Sequence, residues 1–183
     1  MGHLYRYKQE IDTQLPLVDG IENFHYLTHM PGLPGLQLAR GIDGPKATEA
    51  CDGRRVGVIL LSSHYHKRGS AENPWHDTIE PDEGFARYYG DNKTPEVDPA
   101  TVRGNRLLLS QFELHTSPEQ AKRNAAAPIL IFRSGVKGFK EFCGLGVITG
   151  ARRVTQYSQK NGGFFELSVR YRDSGAHRGG RMR

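Results

Sequence analysis

Apolar positions along this chain come in short bursts separated by turn-forming residues. Arg55-Val56-Gly57-Val58-Ile59-Leu60-Leu61 is β-branched and bounded by polar residues, which predicts a buried strand. Asp77-Thr78-Ile79-Glu80 and Phe85-Ala86-Arg87-Tyr88-Tyr89 flank Pro81-Asp82-Glu83-Gly84, a composition that predicts a β-hairpin. Between Arg106 and His115 the spacing changes, and Leu108, Phe112 and His115 fall on one helical face. Ser117-Pro118-Glu119-Gln120 predicts a second helix. Ser117 suits the N-cap, Pro118 the first turn and Gln120 a capping box, and the helix stops near Ala126 before Pro128.

Strand patterns then dominate: Ile129–Phe132, Gly138–Cys143, Val147–Thr149, Arg153–Tyr157 and Phe164–Tyr171. Asn23-Phe24-His25-Tyr26-Leu27 reads as a further short strand. Residues 30–53 are rich in glycine and proline and read as a long loop, and His64 to Pro74 as a polar one. The expected fold is therefore α+β: a strand-rich curved sheet or partial barrel with two short helices. The expected organisation is an irregular lead-in over 1–22, one domain over 23–172, and a basic disordered tail over 173–183.

Composition narrows the class. With 37% hydrophobic and 25% charged residues among 183, the chain has an ordinary globular balance. No apolar run approaches the ~20 residues that span a bilayer, and Met1-Gly2-His3-Leu4-Tyr5-Arg6 has no signal core, so a cytoplasmic location is expected. The two cysteines, Cys51 and Cys143, have no zinc spacing and read as reduced thiols. Charge is unevenly placed. Residues 1–102 carry 10 Lys and Arg against 15 Asp and Glu, whereas residues 103–160 carry 10 against 3. A basic half within folded-looking sequence points to a polyanion-facing side.

The densest polar-aromatic stretch is Pro74-Trp75-His76-Asp77, Arg87 through Lys93, and Arg103-Gly104-Asn105-Arg106. It can be read as a hairpin with one tyrosine inward, one outward, and Asp91-Asn92 in a turn. It also supplies what a flipped base needs: rings to stack on, and a carboxylate or amide for the Watson–Crick edge. The candidate base-binding residues are Trp75, His76, Asp77, Tyr88, Tyr89, Asp91, Asn92, Lys93, Asn105 and Arg106. The candidate phosphate contacts are His64, His66, Lys67, Arg68, Arg103, Arg152 and Arg153. No catalytic motif of the hydrolase, P-loop or zincin kind occurs, no catalytic residue is assigned, and neither a cofactor nor a metal is expected.

Several motifs in order, Pro74–Asp77, Gly84–Lys93, Gly104–Leu108, Ala127–Arg133 and Phe142–Val147, resemble the N-terminal domain of AspBHI-type modification-dependent restriction endonucleases. The resemblance runs from about Asn23 to Tyr171. That domain is similar to the SRA fold, a curved sheet that flips 5-methylcytosine out of DNA. Asp82-Glu83-Gly84-Phe85, Tyr89-Gly90 and Asn105-Arg106-Leu107-Leu108 resemble the SRA run that lines the base pocket, although the loop after Gly90 differs from eukaryotic SRA domains. The resemblance implies double-stranded modified DNA as partner, Tyr88 or Tyr89 stacked on the base, and Asp91 reading its edge. It also implies a nuclease domain supplied separately or missing here, so that enzyme activity does not transfer to this chain.

Other readings stay open on sequence alone. Phosphorothioate DNA is a second mark, which the loop Met30-Pro31-Gly32-Leu33-Pro34 would meet with an apolar dent. A metal-dependent nuclease would draw on His64, His66, His76 and Asp77. A generic basic domain would bind RNA or nothing specific. The preferred mark, its flanking bases and the oligomeric state are not encoded in any motif.

Overall fold

The computed structural model describes residues 2–7, 14–29, 31, 35–44, 48–50, 53–55, 59–64, 77–90, 97–154 and 164–173. In chain order its strands are β1 (Leu4–Arg6), β2 (Leu17–Val18), β3 (Ile21–Glu22), β4 (Ile42–Asp43), β5 (Thr48–Ala50), β6 (Gly53–Arg55), β7 (Ile59–His64), β8 (Thr78–Glu80), β9 (Phe85–Tyr89), β10 (Ile129–Ser134), β11 (Phe139–Val154) and β12 (Phe164–Asp173). The helices are α1 (Phe24–Thr28), α2 (Arg103–His115) and α3 (Gln120–Asn124), with single 3-10 turns at Pro81–Glu83 and Pro99–Thr101.

Eight strands form one strongly curled sheet in the order β4-β7-β10-β11-β12-β9-β8, with β1 also paired to β11. The expected strand-rich α+β architecture is thus observed. β7 and β10 run parallel, and the crossover between them carries the hairpin β8–β9 and helices α2 and α3. The other pairings are antiparallel. β11 is 16 residues long, and it merges three strands expected separately. Its ladder shifts register against β10 between Ile131 and Phe132, and against β12 between Ile148 and Gly150. Such bulges bend a strand and curl the sheet.

Side-chain alternation sorts the sheet into two faces. On one face Ile79, Ala86, Tyr88, Ile129, Ile131, Ile148, Leu167 and Val169 pack with Leu108 of α2. On the other, Phe132 packs with Phe24, Leu36 and Leu38, and with the partly buried Tyr5, Leu130 and Phe142. Leu108 is fully buried, and truncating such a leucine to alanine costs about 2–5 kcal/mol. Two polar side chains of α2 fasten the chain entering β10. Gln111 accepts a hydrogen bond from the Ala127 amide at 2.7 Å, and the His115 Nε2–H donates to the Ala127 carbonyl at 3.1 Å. The His115 Nδ1 accepts from the Ile148 amide at 3.2 Å, which fixes the neutral tautomer. Burial lowers the His115 pKa, in keeping with that state.

Four expectations need correction. Asn23 to Leu27 is not a strand. Asn23 Oδ1 accepts from the His25 amide at 3.1 Å and caps α1, the competing local bond that asparagine offers the backbone. Residues 1–22 are not wholly irregular, because β1 pairs with β11 and β2 with β3. The loop expected over 30–53 contains β4, which pairs with β7, and β5, which pairs with β6. The helix after Ser117 is shorter than expected, covering only Gln120–Asn124. Ser117 Oγ accepts from the Glu119 amide at 3.2 Å, while Gln120 bonds to Asn124 and Arg123 and so forms no box with Ser117. Cys143 is a buried thiol that donates to the Glu141 carbonyl at 3.7 Å, while Cys51 and the tail after Asp173 lie outside the described residues. Among the described residues no helix is long and apolar enough to cross a membrane.

Lys140 lies on the same face of β11 as Phe142. It is fully buried, with Nζ 5.4 Å from the Tyr7 ring centroid. Burial pushes its pKa down to about 8 from the usual 10.5. The neutral amine is therefore favoured by folding. The cost of the buried charge is full below pH 8 and vanishes as pH rises past the unfolded value. Lys140→Met is expected to raise the melting temperature at pH 7 by roughly 5 °C, and the gain should shrink by pH 10. Thermal melts of both proteins across that range check it, and a gain independent of pH would contradict the assignment.

Candidate nucleic-acid interface

The hairpin β8–β9 is fixed at both ends. At its turn Gly84 has φ +60° and its carbonyl accepts the Tyr171 amide of β12 at 2.9 Å. A Cβ at Gly84 would stand 2.6 Å from the Tyr171 carbonyl oxygen, so the site needs glycine twice over. At the open end the ladder stops at Thr78 opposite Arg87, and Asp77 continues it with a side chain. Asp77 Oδ1 accepts the Tyr89 amide at 2.8 Å.

The chain leaving β9 is held by helix α2. Asn105 is fully buried in the helix's first turn, and its Nδ2 donates to the Pro99 carbonyl at 2.9 Å. The same side chain lies against Gly90, where a Cβ would come within 2.1 Å of Asn105 Oδ1. Asn105 therefore ties together the residues on either side of 91–98. Asp98 caps the 3-10 turn by accepting from the Ala100 amide at 3.0 Å. This places Asn105 as the fastening of the candidate site.

Tyr88 and Tyr89 occupy adjacent strand positions and diverge. Tyr88 lies in the core beside Leu108 and Leu167. Tyr89 points to the opposite face, and its hydroxyl donates to Glu166 Oε2 at 3.0 Å. Glu166, on β12, is 9% exposed and also receives Arg152 at 2.7 Å and Arg87 at 3.5 Å. Burial alone would raise the Glu166 pKa. The hydrogen bonds from Arg152 and Tyr89 and the charges of Arg152 and Arg87 outweigh it, so the carboxyl is held below its usual range and stays ionised. Arg170 lies on the same face, stacked 5.0 Å over the Phe85 ring.

The remaining described candidates are cationic. Arg103 and Arg106 are exposed in the first turns of α2, which carry no acidic residue. Positive side chains at a helix N-terminus oppose the helix dipole and concentrate positive potential suited to a phosphate. Arg153 meets Asp98 at 3.6 Å with both side chains about half exposed, a pairing that contributes little stability. His64 ends β7, opposite Ser134. Trp75, His76, Asp91, Asn92, Lys93, His66, Lys67 and Arg68 lie outside the described residues. Among the described residues no group of three or more His, Cys, Asp or Glu side chains could hold a metal ion. A groove of about 490 Å³ between His115, Pro128, Val147 and Arg170 includes none of the candidates.

Glu166 and Arg87 were missed in the sequence. Alternation in Phe164–Tyr171 puts Glu166 across from the apolar Leu167 and Val169, which is a usable signal. Its partners come from strands far apart in sequence, and only register brings them together.

Residues 40–159 match the family model described as restriction endonuclease AspBHI N-terminal. The structure is similar to the MspJI restriction endonuclease solved in complex with a 27-mer oligonucleotide, with TM-score 0.81 and 33% identity. That match covers 93% of this chain and 41% of the MspJI chain, so the chain spans about two fifths of that relative. The DNA recognition domain of the cytosine modification-dependent restriction endonuclease LpnPI matches at TM-score 0.61 and 18% identity, over 92% of this chain and 71% of that one. The DNA modification-dependent restriction endonuclease AspBHI matches at TM-score 0.52 and 20% identity, over 62% and 30%. The last two likenesses are of fold. No curated protein sequence matches.

The Gly90–Asn105 contact is directly testable. Gly90→Ala should cost about 1–3 kcal/mol of stability, because the new methyl meets a buried amide. In an Asn105→Ala background the same change should cost markedly less. Urea melts of the two single variants and the double variant measure the coupling, and additive losses would refute the contact.

Proposed function

The chain belongs to the AspBHI N-terminal family of restriction endonuclease domains, and from that premise we propose that it recognises 5-methylcytosine, or a related modified cytosine, in duplex DNA by flipping the base. The observation that carries this reading is 33% identity over 93% of the chain to MspJI, a restriction endonuclease solved on an oligonucleotide. The described arginines support it: Arg103 and Arg106 start α2, whose first turn holds no acid, and Arg87, Arg152 and Arg170 share one sheet face. In this reading the task of these residues is recognition, and no cleavage step is assigned to them.

The mechanism follows from what flipping requires. Cations must hold the backbone on both sides of an extruded nucleotide, and a pocket must replace the lost stacking and pairing. Arg103, Arg152 and Arg153, with His64, His66, Lys67 and Arg68, are assigned to phosphates. Tyr88, expected as a candidate for the base, is buried in the core beside Leu108 and is withdrawn; the ring of Tyr89, with Trp75, stacks on the base. Asp91 accepts from the cytosine N4 amine, with His76, Asp77, Asn92, Lys93 and Arg106 around it. Asn105 acts from behind by holding Gly90 and Pro99 in place.

Two measurements test the reading. Fluorescence polarisation should show at least tenfold tighter binding to a duplex with one 5-methylcytosine than to its plain counterpart, and affinity for both should fall steeply with salt. Equal affinity for the two duplexes would defeat it. Asp91→Ala should keep binding to plain duplex while losing the preference, and 2-aminopurine beside the modified base should brighten on binding by the unaltered chain.

A further inference from the structure

We propose that Glu166 is a positioning residue for DNA binding, holding the guanidinium groups of Arg152 and Arg87 outward as a preformed pair for backbone phosphates. The inference rests on the reading that this chain binds duplex DNA, and it adds a residue that makes no contact with DNA itself.

The geometry sets Glu166 apart from an ordinary surface acid. Its side chain is 10% exposed, whereas that of Arg152 is 71% exposed and that of Arg87 48% exposed. The acid is sunk in the sheet and the two bases stand above it. Register explains the arrangement: Glu166 on the central strand lies opposite Arg152 of β11 on one side and Tyr89 of β9 on the other. Arg87 lies two residues before Tyr89, on the same face. One carboxylate thus gathers side chains from both neighbouring strands, through 2.7 Å to Arg152, 3.0 Å to the Tyr89 hydroxyl and 3.5 Å to Arg87.

Arginine carries five donors in a rigid fork. Arg152 uses Nη2 on Glu166, and Arg87 approaches it with Nε. The Arg152 guanidinium is hydrogen-bonded at one edge, Arg87 stands at ion-pair distance, and both side chains are otherwise well exposed. A free surface arginine loses rotamer entropy when it grips a phosphate, and one already fixed by a buried acid has lost much of that freedom on folding. The cluster keeps a net positive charge, with two arginines over one carboxylate. Small neighbours leave room beside it, since Ser168 pairs with Gly150 of β11 and with Arg87 of β9.

Two opposing effects make the inference falsifiable. If Glu166 acted only through its charge, removing a negative group near DNA would tighten binding. If it positions the arginines, Glu166→Gln should weaken binding even though the net charge becomes more positive. The experiment compares the unaltered chain, Glu166→Gln, Arg152→Lys and Arg152→Ala on methylated and plain duplexes over a range of salt, with circular dichroism melts alongside. The expected result is a loss of about tenfold for Glu166→Gln on both duplexes, with the salt slope reduced by roughly one phosphate contact, as in Arg152→Ala. Arg152→Lys keeps the charge on a largely exposed side chain, so it reads the same question if Glu166→Gln fails to fold. It too should weaken binding.

Unchanged or tighter binding by folded Glu166→Gln overturns the proposal, as does full affinity in Arg152→Lys. A chain that binds methylated and plain duplex equally, but still loses affinity in these variants, defeats the reading of the mark and leaves Glu166 in its role. A chain that binds neither duplex defeats both.

Discussion

Alternation along β9 and β12, matched by β11 through its bulge between Ile148 and Gly150, is the constraint from which the rest of this molecule follows. Ala86, Tyr88, Leu167, Val169 and Ile148 must all reach the side covered by α2, because that is where their burial is satisfied. Once they do, Arg87, Tyr89, Glu166, Ser168 and Arg152 are forced onto the other side at matching heights. A slip of one residue in either ladder would bury two arginines and expose the core. The same register that secures the hydrophobic cluster therefore assembles the charged one, and no separate device is needed to bring three strands' polar groups together.

The two layers of the site are held by different physics. Tyr89, Glu166 and Arg152 are joined by charge-assisted bonds across a sheet, each made with good geometry around an acid too buried to exchange freely with solvent. Gly90 and Asn105 meet by close packing, with one hydrogen bond from Asn105 to Pro99. The first arrangement tolerates changes in bulk but not in charge. The second tolerates changes in charge nearby but not the addition of a methyl group.

Much of this was legible in the sequence, and the rest was not for identifiable reasons. The β8–β9 hairpin, the α2 face with Leu108 and the alternating strands near the C-terminus were all written in local periodicity and turn chemistry. Asn23 misled because five residues containing Phe24, Tyr26 and Leu27 suit a strand by propensity, and one capping bond decided for a helix. The leading 22 residues gave no periodic signal since β1 is only three residues long and draws its order from β11. Asn105 looked like a contact for a base because it sits beside Arg106. Only coordinates reveal it buried against Gly90, a pairing 15 positions apart that no spacing rule encodes. The ordered motifs that resembled the AspBHI N-terminal domain proved more informative than any single pattern, as the family match over residues 40–159 shows.

The sheet's strand order also governs when it can form during synthesis. β9 finds its main neighbour in β12, and Tyr89 pairs with Glu166, 77 residues downstream. On a ribosome adding about 5–20 residues per second, the hairpin β8–β9 waits roughly 4–15 s with an edge open. Ile79 and Tyr88 must stay out of wrong pairings for that interval. The charged side chains at Arg87 and Glu80 on the same two strands are well placed to discourage such pairings, which gives them a task before any ligand is met.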